Sequence, residues 1–160
     1  MLSTLSRRLP AFRAVRTAAL LSTLALAATA CDDDDDLTGE DEPDIESVRL
    51  VITPSGGTPT TYTVTANGAT PSPVQLRVGT STIVATPLDA GGQTIDESSE
   101  FELRMSGLPT GVTFTQSGTL TATIAATAAT TTNANASAIM WHRSEGHDDY
   151  TANFPVRVAP

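Results

Sequence analysis

Apolar residues alternate with polar residues along most of the chain after residue 46, and this period of two constrains the fold more than any other feature. The pattern is clear in VRLVI (48–52), YTV (62–64) and VQLRV (74–78). It returns in four later groups: Phe101, Leu103 and Met105; Val112 and Phe114; Leu120, Ala122 and Ile124; and Phe154, Val156 and Val158. Such alternation is typical of half-buried β-strands, whose successive side chains face opposite sides of a sheet.

Turn-forming residues separate these runs. PSGGTP, ANGATPSP, DAGG and SGLPTG combine Gly, Pro, Asn, Asp and Ser, which favour tight turns. About seven to nine short strands at this spacing predict an all-β fold, a β-sandwich over residues 47–160. Residues 125–138, AATAATTTNANASA, contain few large apolar side chains and are predicted to form a long loop or a frayed strand end.

Two stretches resemble the second group of bacterial Ig-like domains. Residues 111–124, GVTFTQSGTLTATI, are similar to the later hairpin of those domains. Residues 78–95, VGTSTIVATPLDAGGQTI, are similar to an earlier strand and its A-T-x-x-D-x-x-G turn, which is matched by Ala85, Thr86, Asp89 and Gly92. The resemblance implies an Ig-like β-sandwich that acts as a stalk or binding module, and it implies no catalytic residues.

The N-terminal segment predicts export from the cytoplasm. Residues 1–17 contain four arginines and no acidic residue, and the thirteen residues 18–30 are weakly polar or apolar throughout. These are the charged and apolar regions of a secretory signal. Thirteen helical residues rise about 20 Å, less than the roughly 30 Å of a bilayer core, so we expect a cleaved signal peptide over residues 1–30 rather than a membrane-spanning anchor. Arg7 and Arg8 leave the twin-arginine route open as an alternative.

The only cysteine, Cys31, follows Ala28-Thr29-Ala30, an A-x-A cleavage site. This stretch resembles the lipobox of bacterial lipoproteins. The resemblance implies that the Cys31 thiol carries diacylglycerol, with acyl chains such as palmitate, and that Cys31 is the mature N-terminus. The alternative is a free thiol or an intermolecular disulfide, because a single cysteine cannot close an internal bridge.

Residues 32–46 form an acidic segment in which ten of fifteen residues are Asp or Glu and none is basic. Charges this close repel one another, so residues 31–46 are predicted to be a disordered linker with no structural role. A calcium site is the alternative, but it needs six to eight oxygens fixed in space. Acidic residues after a lipidated cysteine also resemble surface-export signals of bacterial lipoproteins, whereas Asp32 resembles an inner-membrane retention signal of enteric bacteria. We favour the outer membrane or cell surface.

Charge narrows the set of partners. Removal of residues 1–30 takes away four of the nine basic residues and none of the eighteen acidic residues. The mature chain should repel nucleic acid and anionic lipid headgroups, so we expect no nucleic-acid partner. The lipid on Cys31 would provide the membrane contact, and a protein or glycan would be the further partner. The chain has no G-x-S-x-G elbow, and both histidines lie in one short segment, so we do not predict an enzyme.

Both histidines and the only tryptophan occur in MWHRSEGHDDY, residues 140–150. The alternation predicts that Ile139 and Trp141 face the core and that Met140 and His142 point outward. Residues 144–149 are predicted to form a hairpin loop, with residues 151–158 as the returning strand.

Such a hairpin would bring His142 close to His147, with Glu145, Asp148 and Asp149 within reach. Two imidazoles and a carboxylate suit zinc or copper, and the Met140 thioether is a further soft ligand. The candidate ligands are therefore His142, His147, Glu145, Asp148 and Met140. The alternative is a polar hairpin tip that only faces water.

These features together predict a lipid-anchored cell-envelope protein whose Ig-like domain acts as a binding or structural module. The alternative function is that of an envelope lipoprotein that binds zinc or copper through residues 142–149.

Overall fold

The structure is a computed structural model that describes residues 44–96 and 99–160. The predicted signal peptide, Cys31 and the predicted linker up to residue 43 lie outside the described residues. The described residues belong to one compact unit. Within them, no helix is long and apolar enough to cross a membrane.

Ten strands are present in the described part of the chain. They are β1 (Ser47–Pro54), β2 (Thr60–Thr65), β3 (Gly68–Thr70), β4 (Val74–Arg77), β5 (Gly79–Leu88), β6 (Phe101–Ser106), β7 (Val112–Gln116), β8 (Thr121–Ala126), β9 (Ala134–His142) and β10 (His147–Ala159). One sheet has the order β3-β2-β1-β5-β8-β7 and the other β4-β10-β9-β6. The all-β sandwich prediction is confirmed, and the strand number is ten when the three-residue β3 is counted.

The core consists of the inward-facing residues of the two sheets. In β1, β6 and β10 the large buried side chains are those that the alternation marks as inward, including Leu50, Leu103 and Phe154. Val78 is an exception and is 46% exposed, because β4 ends at Arg77 and β5 begins at Gly79. The period of two therefore identifies the core face of these strands.

The prediction for residues 125–138 is wrong at both ends of the segment. Strand β8 continues to Ala126, and β9 begins at Ala134, so the connecting loop covers only residues 127–133. Ala136 is fully buried and lies opposite Phe154 of β10. A methyl side chain fits beside a phenyl ring in a closely packed core, so a strand of small residues does not require large apolar groups of its own.

The predicted facing of β9 is also wrong. Met140 and His142 are 0% and 1% exposed, whereas Ile139 and Trp141 lie half-buried on the outer face. The indole of Trp141 is covered there by the Arg104 guanidinium, whose carbon lies 3.8 Å from the ring centroid. Because the side-chain period is two, the inward placement of the alanines at 136 and 138 also turns Met140 and His142 inward.

The end of the sandwich at which the chain enters β1 is called here the linker end, and the opposite end the distal end. At the linker end, the Glu46 amide donates to the Leu88 carbonyl at 2.9 Å, and the Tyr150 hydroxyl donates to the Glu46 carbonyl at 2.8 Å. The Ile45 side chain packs against the core. The prediction that the acidic linker makes no structural contact is therefore wrong for its last residues.

Candidate metal centre

The β9–β10 hairpin lies at the linker end. Its loop is Arg143–Gly146, and His142 and His147 are directly paired across it. The Gly146 amide donates to the His142 carbonyl at 2.8 Å, and Gly146 has a φ of 77°. Glycine adopts this left-handed conformation without steric cost, so Gly146 allows a four-residue loop. The predicted hairpin is present, with a loop shorter than the predicted residues 144–149.

A β-bulge follows the loop. Asp148 pairs with Trp141 and Tyr150 with Met140, so Asp149 is an extra residue in β10. A bulge bends the strand and redirects side chains. Here the Asp149 carboxylate is turned toward His147, with 2.8 Å between Asp149 Oδ1 and His147 Nδ1.

Four side chains converge at this tip and are called here the tip cluster: His142, Glu145, His147 and Asp149. One potential ligand atom from each lies within 4.8 Å of all the others. His142 Nδ1 is 3.4 Å from Asp149 Oδ2 and 3.5 Å from Glu145 Oε2. Two imidazoles and two carboxylates are thereby held in one small volume.

His142 is the buried member of the tip cluster. Its ring is tilted against Phe101, with 5.4 Å between the ring centroids. While Nδ1 faces the carboxylates of the cluster, Nε2 lies 3.2 Å from Ser144 Oγ and 3.4 Å from Glu100 Oε2. The two ring nitrogens therefore face different sets of partners.

His147 is the accessible imidazole of the cluster, with 58% of its side chain exposed. Its Nε2 lies 2.5 Å from Glu145 Oε2, and its ring is nearly perpendicular to that of His142, with 6.0 Å between centroids. His147 thus lies between Glu145 and Asp149 on the solvent side of His142.

The structure brings together three of the five residues that the sequence singled out: His142, His147 and Glu145. Asp148 is exposed and is not part of the cluster, because the bulge places Asp149 there instead. Met140 is a core residue and is not part of the cluster either. Glu100 is not among the residues that the sequence singles out, because nothing local indicates that a residue so distant along the chain lies beside His142.

The donor types, and the distances from His142 to the two carboxylates, fit a small divalent ion. Zinc bonds of 2.0–2.2 Å in a tetrahedron place neighbouring ligand atoms about 3.3–3.6 Å apart. The distances from His142 Nδ1 to the two carboxylates, 3.4 and 3.5 Å, fall in this range. The shorter contacts of His147 are hydrogen-bond distances that would have to open when a metal binds. With Met140 in the core, the donors are nitrogen and oxygen, which suit Zn²⁺ or Cu²⁺ better than Cu⁺.

Comparison with known proteins adds no information on this site. No protein-family model, no curated protein and no solved structure matches the chain.

Proposed function

We propose that the chain is a lipid-anchored protein of the bacterial cell envelope whose β-sandwich domain binds Zn²⁺ or Cu²⁺ at the β9–β10 hairpin tip. The observation that carries the proposal is the tip cluster, in which four ligand atoms lie within 4.8 Å of one another. One ligand is buried in the fold and the other three are accessible from solvent, which would give a fixed anchor and an entry path for the ion.

Charge at the hairpin tip supports a cation as the ligand. Glu145 and Asp149 belong to the cluster, and Glu100 lies 3.4 Å from His142, so three carboxylates surround two imidazoles. When both imidazoles are neutral, this arrangement carries an excess of negative charge. A divalent ion would neutralise that charge while using the nitrogen lone pairs.

The membrane anchor is proposed from the resemblance of residues 28–31 to a lipobox. Each buried CH₂ of an acyl chain contributes about 0.8 kcal/mol to membrane binding, so two or three chains on Cys31 would hold the protein without a spanning helix. Mass spectrometry of Cys31 from the membrane fraction tests this. An unmodified thiol on a protein that fractionates with the soluble material would refute it.

A metal-free binding or structural module is the second candidate. It is favoured by the contacts of His147 with Glu145 at 2.5 Å and Asp149 at 2.8 Å, which a protonated imidazole would satisfy without any ion. In that case the hairpin tip is an ion-pair network, and the partner of the domain is a protein or a glycan.

Metal titration of purified, tag-free, full-length protein distinguishes the two candidates. We expect Zn²⁺ or Cu²⁺ to bind in competition with a chelating dye and to stabilise the fold by about 2.7 kcal/mol at a hundredfold excess over Kd. Binding should weaken as the pH is lowered, because protons compete with the metal for the imidazole nitrogens.

The matched variants are His147→Ala and Asp148→Asn. His147→Ala should abolish the thermal stabilisation by metal, whereas Asp148→Asn, which removes a neighbouring charge outside the cluster, should retain it. If wild-type protein binds neither ion more tightly than about 0.1 mM, the metal-free module is the better description.

A further inference from the structure

We infer that Glu100 is a positioning residue of the metal centre: its carboxylate, 3.4 Å from His142 Nε2, favours a hydrogen on Nε2 and so leaves Nδ1 to ligate the ion. This inference rests on the proposed metal-binding function. It assigns a role to a residue that lies outside the tip cluster and is more than forty positions away from it in the sequence.

The two nitrogens of His142 decide which atom would bind the metal. Nδ1 faces Asp149 and Glu145, the other ligands of the cluster, at 3.4 and 3.5 Å. Nε2 points to the other side, where Glu100 Oε2 lies 3.4 Å away. A neutral imidazole carries one hydrogen, so ligation through Nδ1 requires that hydrogen on Nε2.

A carboxylate at Nε2 favours this tautomer. Ligating histidines commonly donate their second ring N–H to a carboxylate, carbonyl or water, which fixes the tautomer and the orientation of the ring and makes the ligating nitrogen more basic. Because Phe101 packs against the ring at 5.4 Å, His142 has little room to exchange its two nitrogens by rotation.

The backbone holds Glu100 beside the hairpin. The Arg143 amide donates to the Glu100 carbonyl at 2.8 Å, and Arg143 Nη1 donates to the Ser99 carbonyl at 3.3 Å. On the other side of Glu100, Phe101 is paired with His142 in the β6–β9 ladder. The Glu100 backbone is therefore hydrogen-bonded to the hairpin loop, and its neighbour Phe101 is paired with His142 in β9.

Ser144 is another partner of Nε2: its hydroxyl oxygen lies 3.2 Å away, within hydrogen-bond distance. A hydroxyl can either donate or accept, whereas an ionised carboxylate only accepts. Glu100 therefore favours one tautomer, and Ser144 is compatible with both. Separate substitutions of Glu100 and Ser144 can therefore show which side chain sets the tautomer of His142.

Zinc affinity of full-length, tag-free protein is the first readout. Glu100→Gln should weaken Zn²⁺ binding about 10- to 100-fold, the usual effect of removing such a partner, with little change in the melting temperature of the metal-free protein. The matched control is Glu102→Gln. Glu102 belongs to the same segment, but its carboxylate pairs with Arg104 at 3.0 Å. Glu102→Gln should change the zinc affinity less than threefold, and Ser144→Ala should weaken it less than Glu100→Gln does.

The second readout is the tautomer of His142 in the zinc-loaded protein, measured by long-range ¹⁵N–¹H NMR. We expect a protonated Nε2 and a metal-bound Nδ1 in wild type. A metal-bound Nε2, an unchanged zinc affinity in Glu100→Gln, or a larger loss in Ser144→Ala would overturn the role of Glu100 while leaving metal binding intact. Failure of wild type to bind zinc or copper would overturn the proposed function, and the role of Glu100 with it.

Discussion

The two ends of the sandwich differ in how their charged groups are placed. At the linker end, the carboxylates of Glu100 and Asp149 converge on the buried imidazole of His142. At the distal end, a cleft of about 610 Å³ opens between the loop after β1 and the junction of β4 and β5. Among the described residues that line this cleft, Arg77 is the only charged one, and its Nη1 donates to the Pro160 carbonyl at 3.3 Å.

This difference shows that the size of a cavity does not decide whether a region can bind a metal ion. The distal cleft has volume, but no histidine or carboxylate is among the described residues that line it, so it offers no side chain of the kind that binds a metal cation. At the hairpin tip, four potential ligand atoms lie within 4.8 Å of one another. A small ion needs several donor atoms close together rather than a large cavity. The linker end is therefore the candidate metal centre.

The largest effect is expected from His142→Ala. This substitution leaves a cavity in the core and removes a ring that contacts Phe101 and the tip carboxylates, so the free energy of unfolding should fall by about 2–4 kcal/mol. Arg77→Ala at the distal end should change it by less than about 0.5 kcal/mol, because the Arg77 side chain is exposed. Urea denaturation of metal-free protein measures both.

Equal effects at the two ends would contradict the contrast drawn between them. His147→Ala is the control within the hairpin tip. Its side chain is 58% exposed, so loss of stability in the metal-free protein should be within about 0.5 kcal/mol.

The buried position of His142 is also where prediction from sequence was least successful. The alternation correctly identified the core faces of most strands, because a strongly apolar residue at every second position has only one good placement. In β9 the two faces compete, since Ile139 and Trp141 look like core residues and Ala136 and Ala138 do not. Ala136 lies opposite Phe154 and Ala138 opposite Ala152 of β10, and this long-range pairing is not visible in β9 alone.

The composition of the site was predictable only in part. Two histidines separated by a turn suggest a hairpin that brings them together, and the structure pairs them directly. Asp149, and not the predicted Asp148, belongs to the tip cluster because of a bulge in β10. Glu100 lies close to His142 because β6 pairs with β9. Neither feature follows from local residue patterns, because both are consequences of how distant strands align.

The second prediction concerns the segment that enters the linker end. Deletion of residues 37–46 should lower the free energy of unfolding by about 2 kcal/mol, because it removes the packing of Ile45 and the two backbone hydrogen bonds of Glu46. Deletion of residues 37–43 alone retains these contacts and should cost less than about 0.5 kcal/mol. Equal losses in the two deletions would show that contacts of Ile45 and Glu46 are not what stabilises this end.

Two glycines with nearly the same backbone conformation, one at each end of the sandwich, allow a comparison of the ends by substitution. Gly146 at the hairpin tip and Gly56 at the distal end have φ values of 77° and 72°. Each change to alanine should cost about 1 kcal/mol of stability, because a Cβ is disfavoured in this conformation. Only Gly146→Ala should also weaken zinc binding, since it alters the loop that carries Glu145 and His147. Equal zinc affinities in the two variants would argue that the loop geometry is not required for the site.

The smallest effect is expected from Tyr150→Phe, which tests how firmly the linker end is attached. The substitution removes the hydrogen bond to the Glu46 carbonyl and should cost about 0.5–1 kcal/mol at neutral pH.

Burial raises the pKa of Tyr150 above its ordinary value of 10.0; the backbone of Ala66 partly opposes this, and the charge of Glu46 adds to it. The protonated phenol is therefore favoured in the fold, so its contribution is fully present below pH 10 and is lost as the pH rises through the raised pKa. Wild type should lose stability between pH 9 and pH 11 by more than Tyr150→Phe does, and denaturant unfolding at both pH values measures the difference. Parallel losses in the two proteins would mean that ionisation of Tyr150 is not coupled to folding and that the contact with Glu46 contributes little to the linker end.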